Sequence, residues 1–120
     1  MKKRIFLMLL CICFSAVALF AEVGVTDNEI LIGSALALEG SNNFLGNQYK
    51  IVYETYMAKI NAAGGINGRK IKTIFVDDSY EPDKCSSVTK KLIEENKVFA
   101  LTCYVGTPTA KIIMPTINAT

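Results

Sequence analysis

The stretch that most narrows the fold is Ile60-Asn61-Ala62-Ala63-Gly64-Gly65-Ile66-Asn67-Gly68-Arg69-Lys70, followed without a gap by Ile71 to Val76 and the acid pair Asp77-Asp78. It reads as a helix end, a glycine-rich turn and a strand that stops at two acids. Gly64 suits the left-handed conformation that closes a helix, and Asn67-Gly68 is a tight-turn signal. A strand with an acidic exit puts a loop at the carboxyl end of a sheet, where α/β folds bind ligands. The glycines come after a helix and before a strand, the reverse of a dinucleotide-binding turn. They make a connection, not a phosphate cradle.

The rest of the chain extends this alternation. Glu29 to Leu38 is a nearly unbroken apolar run, which suits a central parallel strand covered on both faces. Glu39-Gly40-Ser41-Asn42-Asn43 breaks it, with Asn42 or Asn43 placed to cap a helix over Phe44 to Ala63. On that helix Tyr49, Tyr53, Tyr56, Ile60 and Ala63 recur at steps of four and three. One face at helical spacing is expected to be core. Ile71 to Val76 is the second strand, and Lys70 and Lys72 mark it as a sheet edge. Pro82 opens a helix whose buried side is Cys85, Val88, Leu92 and Ile93. Val98 to Tyr104 is predicted as the third strand, and Gly106-Thr107-Pro108 starts a third helix, with Thr107 as its cap. Strand and helix in strict alternation with short loops imply an α/β fold with a parallel sheet and flanking helices.

Residues 1–21 have the layout of a secretory signal peptide: Lys2, Lys3 and Arg4, an uncharged apolar run to Phe20, and Ala21 before Glu22. A membrane anchor is the alternative, but the run is shorter than the roughly 20 residues a spanning helix needs. Leu10 and Ile12 precede Cys11 and Cys13, where a lipoprotein signal has a small residue. Cleavage near Ala21 implies a periplasmic or other extracytoplasmic location and leaves residues 22–120 as one small domain. The whole chain carries 13 Lys+Arg against 11 Asp+Glu. Three of those cations lie in the leader, so the remainder has 10 against 11. Such a balance offers no basic patch to nucleic acid.

Catalytic chemistry has little support. The chain contains no histidine, which excludes histidine triads and histidine metal sites, and no serine stands in a nucleophile-elbow pattern. No catalytic residue, cofactor or metal site is expected. Asp77 and Asp78 lack further oxygen ligands at a recognisable spacing, and one of the two is read as capping or bracing the loop. Three loops leave the carboxyl ends of the strands: 39–46, 77–82 and 104–109. The last is the sharpest candidate, because a helix amino terminus offers free N–H donors and a partial positive charge. Gly106 lets backbone approach a ligand, and Thr107 and Thr109 add hydroxyls. A carboxylate would suit such a site. A plain helix cap is the alternative, and both can hold together. Lys111, beyond the first turn, is expected to matter less, and Gly106→Val to spare folding.

Three segments resemble the solute-binding proteins of ABC transporters of the leucine/isoleucine/valine-binding, type I, kind. They are Ile60 to Asp78, Val23 to Gly33, and Val98-Phe99-Ala100 running on to Gly106-Thr107-Pro108-Thr109. The resemblance covers all of the chain after its leader and keeps the family's order and spacing. It implies the amino-terminal part of a first lobe, with the first strand between the other two (order 2-1-3). Family members have two lobes and are several times longer, so the chain is expected to carry half a site. It also implies capture of a small polar solute, an amino acid or related carboxylate, and delivery to ABC permease subunits. The ligand-binding residues implied are Gly40, Ser41, Leu45, Tyr80, Tyr104, Gly106 and Thr107. Glu39 stands where the family has a small hydroxyl residue, Ser41 where it has proline, and Leu45 where it often has an aromatic. An inward Glu39 would repel a carboxylate. Related leucine-binding proteins carry a disulfide in this region, although their cysteines do not align with Cys85 and Cys103. Those two are left as a possible disulfide or, with Cys85 on a buried helix face, as free thiols. A sensor ectodomain of the same fold and a small exported α/β enzyme are the rival readings.

Overall fold

The structure is a computed structural model that describes residues 22–119. The leader expectation therefore lies outside the described residues. Three strands alternate with three helices: β1 (Glu29–Leu36), α1 (Asn43–Ala62), β2 (Lys70–Asp77), α2 (Pro82–Glu94), β3 (Ala100–Leu101) and α3 (Thr107–Asn118). The sheet order is β2-β1-β3, and both pairings are parallel. β1 pairs with β2 along its whole length, from Glu29 opposite Lys70 to Leu36 opposite Asp77. The expected order and the edge position of β2 are both found.

The connection from α1 to β2 follows the residues that announced it. Gly64 sits at φ 111°. Its N–H donates to Asn61 O and that of Gly65 to Ile60 O, the paired bonds of a Schellman helix end. Asn67 (φ 50°) and Gly68 (φ 81°) form a two-residue turn in which Ile66 and Arg69 exchange backbone hydrogen bonds of 2.8 and 2.9 Å. The Asn61 side chain then locks helix to strand. It accepts the Ile71 N–H and donates to Ile71 O, each at 2.8 Å.

β3 is much shorter than the predicted span of Val98 to Tyr104. Phe99 N–H and Thr102 N–H still donate to Leu31 O and Gly33 O of β1. Cys103, however, takes φ 59°, which turns the chain away from the sheet and ends the ladder. The Ser34 hydroxyl then reaches the Cys103 carbonyl at 3.3 Å.

The core lies on one face of the sheet. Ala35, Cys85 and Ile113 are buried together, with Val76, Val88 and Tyr104 packed around them. Thr89 and Leu92 complete the inner face of α2 at 0% exposure; the apolar pattern missed Thr89 because its hydroxyl is satisfied by Tyr104. α1 covers the opposite face, where Tyr53 meets Phe75 edge-on at 5.6 Å. The tyrosine face of α1 is not the core it was expected to be. Tyr49 and Tyr56 are 52% and 60% exposed. Only Tyr53 and Ile60 of that face turn toward the sheet far enough to be half-buried. Asn42 does stand at the cap position of α1, but its side chain makes no capping bond.

Candidate functional site at the carboxyl rim of the sheet

The first two loops are tied together by Asp77, the last residue of β2. Its Oδ1 accepts the N–H groups of Leu38 (2.8 Å), Glu39 (3.0 Å) and Ser79 (3.1 Å). Its Oδ2 takes the Ser79 hydroxyl at 2.7 Å and the Lys84 amine at 2.5 Å. Burial pushes this carboxyl up. The Lys84 and Ser79 side chains and the Leu38 and Glu39 N–H groups outweigh that and hold it well below the usual carboxylate range. Lys84 is raised in turn, chiefly by Asp77, with weaker help from Glu39 and Glu81. Glu39 therefore contributes to the field around Lys84. The brace role read from the sequence holds for Asp77, while Lys84 had no signal beyond its position on the first turn of α2.

A depressed carboxyl stabilises the fold above its unfolded pKa, and that contribution is lost as pH falls through the lower folded value. Asp77→Ala should lower stability by about 2 kcal/mol at pH 7, since it strands several rim donors. The gap between wild type and variant should shrink below about pH 4, where an ordinary aspartate begins to protonate. Urea unfolding at pH 7, 4 and 2.5 measures it; a gap constant with pH would rule out the ionised brace.

The third loop ends at the amino terminus of α3. Gly106 is the cap residue, at φ 110° and ψ 130°, and Thr107 and Pro108 are the first helical residues. This corrects the assignment of Thr107 as the cap. No side chain caps this end, so the N–H groups of the first turn are left for solvent or a ligand. Thr109 is not available to one. It is buried, and its hydroxyl donates back to Val105 O (2.8 Å) and Gly106 O (2.9 Å).

Tyr104, Gly106 and Thr107 share a recess of about 420 Å³ with Ala110, Lys111 and Met114. Lys111 was expected to matter less than Gly106, being beyond the first turn. It lies in the recess because it follows Thr107 by four residues on a helix, which stacks the two on one face. Tyr104 is anchored from behind by its hydroxyl, 2.9 Å from that of Thr89. Burial pushes its phenol up to about 12. Behind the terminus, Asp78 is fully buried; Oδ1 accepts the Tyr80 N–H at 2.9 Å and Oδ2 has no hydrogen-bond partner of normal geometry. Burial, reinforced by the nearby Asp78 carboxylate, pushes the Cys85 thiol up to about 12, so it is no nucleophile.

The remaining expected residues do not all join this recess. Tyr80 packs against Gly106, since a Cβ built there would lie 2.6 Å from Tyr80 Cε2. Gly40 and Ser41 are exposed on the neighbouring loop, where a Cβ on Gly40 would stand 4.0 Å from Ser79 O. Leu45 looks the other way, into a groove of about 540 Å³ lined by Tyr49, Val52, Tyr56 and Cys103. That groove lies on the α1 side of the sheet and Cys85 on the α2 side. The sheet separates the two sulfurs, and both cysteines are free. The possible bridge is thereby corrected. Among the described residues no group of three potential metal ligands comes together.

A three-strand parallel sheet in the order 2-1-3, with an open helix terminus at its carboxyl rim, places the chain in the open α/β class that binds ligands at that rim. The profile of the periplasmic binding protein family matches residues 29–120, and the chain belongs to that family. It is 33% identical over 115 residues to "Leu/Ile/Val-binding protein homolog 2" of Brucella abortus, covering 93% of this chain and 30% of that protein. It is 35% identical over 89 residues to "Amino acid binding protein" of Pseudomonas aeruginosa, covering 72% and 24%. Among solved structures, the fatty acid ABC transporter substrate-binding protein from Thermomonospora curvata superposes with a TM-score of 0.73 at 31% identity, covering 81% of this chain and 24% of that one. The branched-chain amino acid transporter substrate binding protein of Streptococcus pneumoniae, in complex with isoleucine, gives 0.73 at 26%, covering 77% and 26%. The chain thus spans less than a third of the length of these relatives.

Proposed function

We propose that this chain presents one wall of an extracytoplasmic solute site, and that the solute carries a carboxylate which docks on the first-turn N–H groups of α3. The observation that carries this reading is the uncapped α3 terminus at Gly106 and Thr107, set in a recess that also holds Lys111. Helix-end dipole and ammonium group act on the same place, and both favour an anion. Tyr104 forms the apolar back of the recess. The α2 terminus, by contrast, begins at Glu81 and carries Asp83 in its first turn, which disfavours an anion there. Both the isoleucine-bound relative and the fatty acid relative have names that point to carboxylates, of very different apolar size.

The reading includes export with removal of residues 1–21, a binding rather than a catalytic role, and hand-over of the solute to ABC permease subunits. One lobe leaves most of a ligand in water, so this chain alone should bind weakly, with a Kd of roughly 1 mM or above. The test is a nuclear magnetic resonance titration of protein recovered from outside the cytoplasm, whose first residue should be Glu22. Isoleucine and octanoate are the probes. The amides of Gly106 and Thr107 should shift, and Lys111→Ala should weaken the response a few-fold, as for one partly exposed ionic contact. Shifts spread over the surface, with none at Gly106 or Thr107, would reject the docking point.

A further inference from the structure

Two consecutive residues beside the recess, Ser79 (φ 51°) and Tyr80 (φ 64°), hold left-handed backbone without being glycine. Such residues persist only where their surroundings over-determine them. Here the surroundings are the two acids. Asp77 takes both the N–H and the hydroxyl of Ser79, and Asp78 Oδ1 takes the Tyr80 N–H. Asp78 is 0% exposed, so its position is fixed by packing rather than by solvent. The backbone held in this way lays the Tyr80 ring on Gly106. A Cβ on Gly106 would stand 2.6 Å from Cε2 and 2.9 Å from Cζ of that ring. A ring in that place stands against the cap residue of α3, next to the recess that Gly106, Tyr104 and Lys111 line.

We propose that Tyr80 is the size-determining residue of the solute site and that Asp78 is its positioning residue. The proposal rests on the reading of the α3 terminus as the carboxylate dock. It names the selectivity of that dock: carboxylates with a slender group next to the carboxyl enter readily, while those with a bulky ring close to it are opposed by Tyr80. Asp78 acts through the Tyr80 backbone alone and touches no solute. An amide at position 78 keeps the acceptor oxygen that the Tyr80 N–H needs, whereas alanine does not.

Two measurements on the purified full chain separate the parts of this proposal. The first needs no solute. Protons on the Gly106 Cα, lying next to an aromatic ring, should be displaced by its ring current from the shift of an ordinary glycine. Tyr80→Leu and Asp78→Ala should both abolish that displacement, and Asp78→Asn should keep it. A displacement that survives Asp78→Ala would overturn the positioning role. If Asp78→Ala does not fold, Tyr80→Leu still decides whether the ring lies on Gly106, and a Gly106 resonance unchanged by it would overturn the geometry. The second measurement titrates acetate and phenylacetate into wild type and Tyr80→Ala. Losing the ring should raise the affinity ratio of phenylacetate to acetate about fivefold, within the range a reshaped apolar pocket supplies. An unchanged or lower ratio would overturn size selection by Tyr80. If neither probe moves the Gly106 and Thr107 amides in either protein, the carboxylate dock itself is wrong and size selection falls with it. The unliganded measurement still decides what Asp78 does.

Discussion

Replacing Gly106 with valine should remove carboxylate binding at the α3 terminus and lower stability in the same step. The backbone at Gly106 sits at φ 110°, a conformation that L side chains rarely adopt and that costs about 1–3 kcal/mol when imposed on one. Its Cβ would meet Tyr80 Cε2 at 2.6 Å and Thr109 Oγ1 at 2.8 Å. Neither neighbour yields freely. The ring belongs to a residue held by Asp78, and Thr109 is buried with its hydroxyl bonded to two carbonyls. The sequence suggested that this substitution would spare folding, because it showed only a glycine ahead of a helix. The packing around it changes that expectation. For a domain of this size each kcal/mol moves the midpoint by about 4–8 °C, so thermal unfolding should register the change clearly. Binding is then measured well below the lowered midpoint, where the variant is folded. Affinity should fall by about tenfold or more, since each 1.4 kcal/mol of lost interaction is a factor of ten. A variant that keeps the amide shifts of Thr107 on isoleucine titration would refute the dock, whatever its stability.

Gly46→Ala should be more damaging to the fold than any substitution of the exposed α1 tyrosines. Gly46 is the one buried residue of α1. A Cβ there would lie 1.9 Å from the carbonyl oxygen of Ala37 and 2.6 Å from its carbon. These are backbone atoms just past the end of β1, and Ala37 is itself 0% exposed. The clash cannot be relieved by a side-chain rotation; α1 must lift off the sheet or the loop must move. That movement would also pull on Leu38, whose N–H is held by Asp77 and whose carbonyl accepts the Asn47 side chain. Overpacking a well-packed site costs about 1–3 kcal/mol and occasionally more, and a backbone clash belongs at or above the upper end. Tyr56→Ala, at a residue 60% exposed, should stay within about 0.5 kcal/mol in comparison. Urea unfolding of the two variants side by side is the check. A Gly46→Ala protein as stable as wild type would mean that the approach of α1 to Ala37 is looser than described.

The amino-acid sequence by itself determined the local structure. Hydrophobic period and the Gly/Asn/Pro punctuation act over a few residues, so they are readable without knowing what lies across the fold. Gly64-Gly65 closes α1 and Asn67-Gly68 turns the chain, as their backbone preferences require, and Pro82 opens α2. The strand order 2-1-3 followed from the family resemblance rather than from any residue pattern. What was not legible depended on partners distant in sequence. The length of β3 was set by a left-handed Cys103 that nothing in its apolar run announced. The tyrosines of α1 have core spacing. Whether such a face is buried depends on which element lies against it, and the described residues place none over Tyr49 and Tyr56. The separation of Cys85 from Cys103 is a matter of which sheet face each one meets. At the rim the sequence pointed to Gly106 and Thr107, since a glycine before a helix start is a local signal. It had no means of showing that Lys84 would brace Asp77, or that Thr109 would turn inward. Nor could it show that Tyr80 would lie on Gly106, because that contact is made only when loops leaving two different strands meet in space.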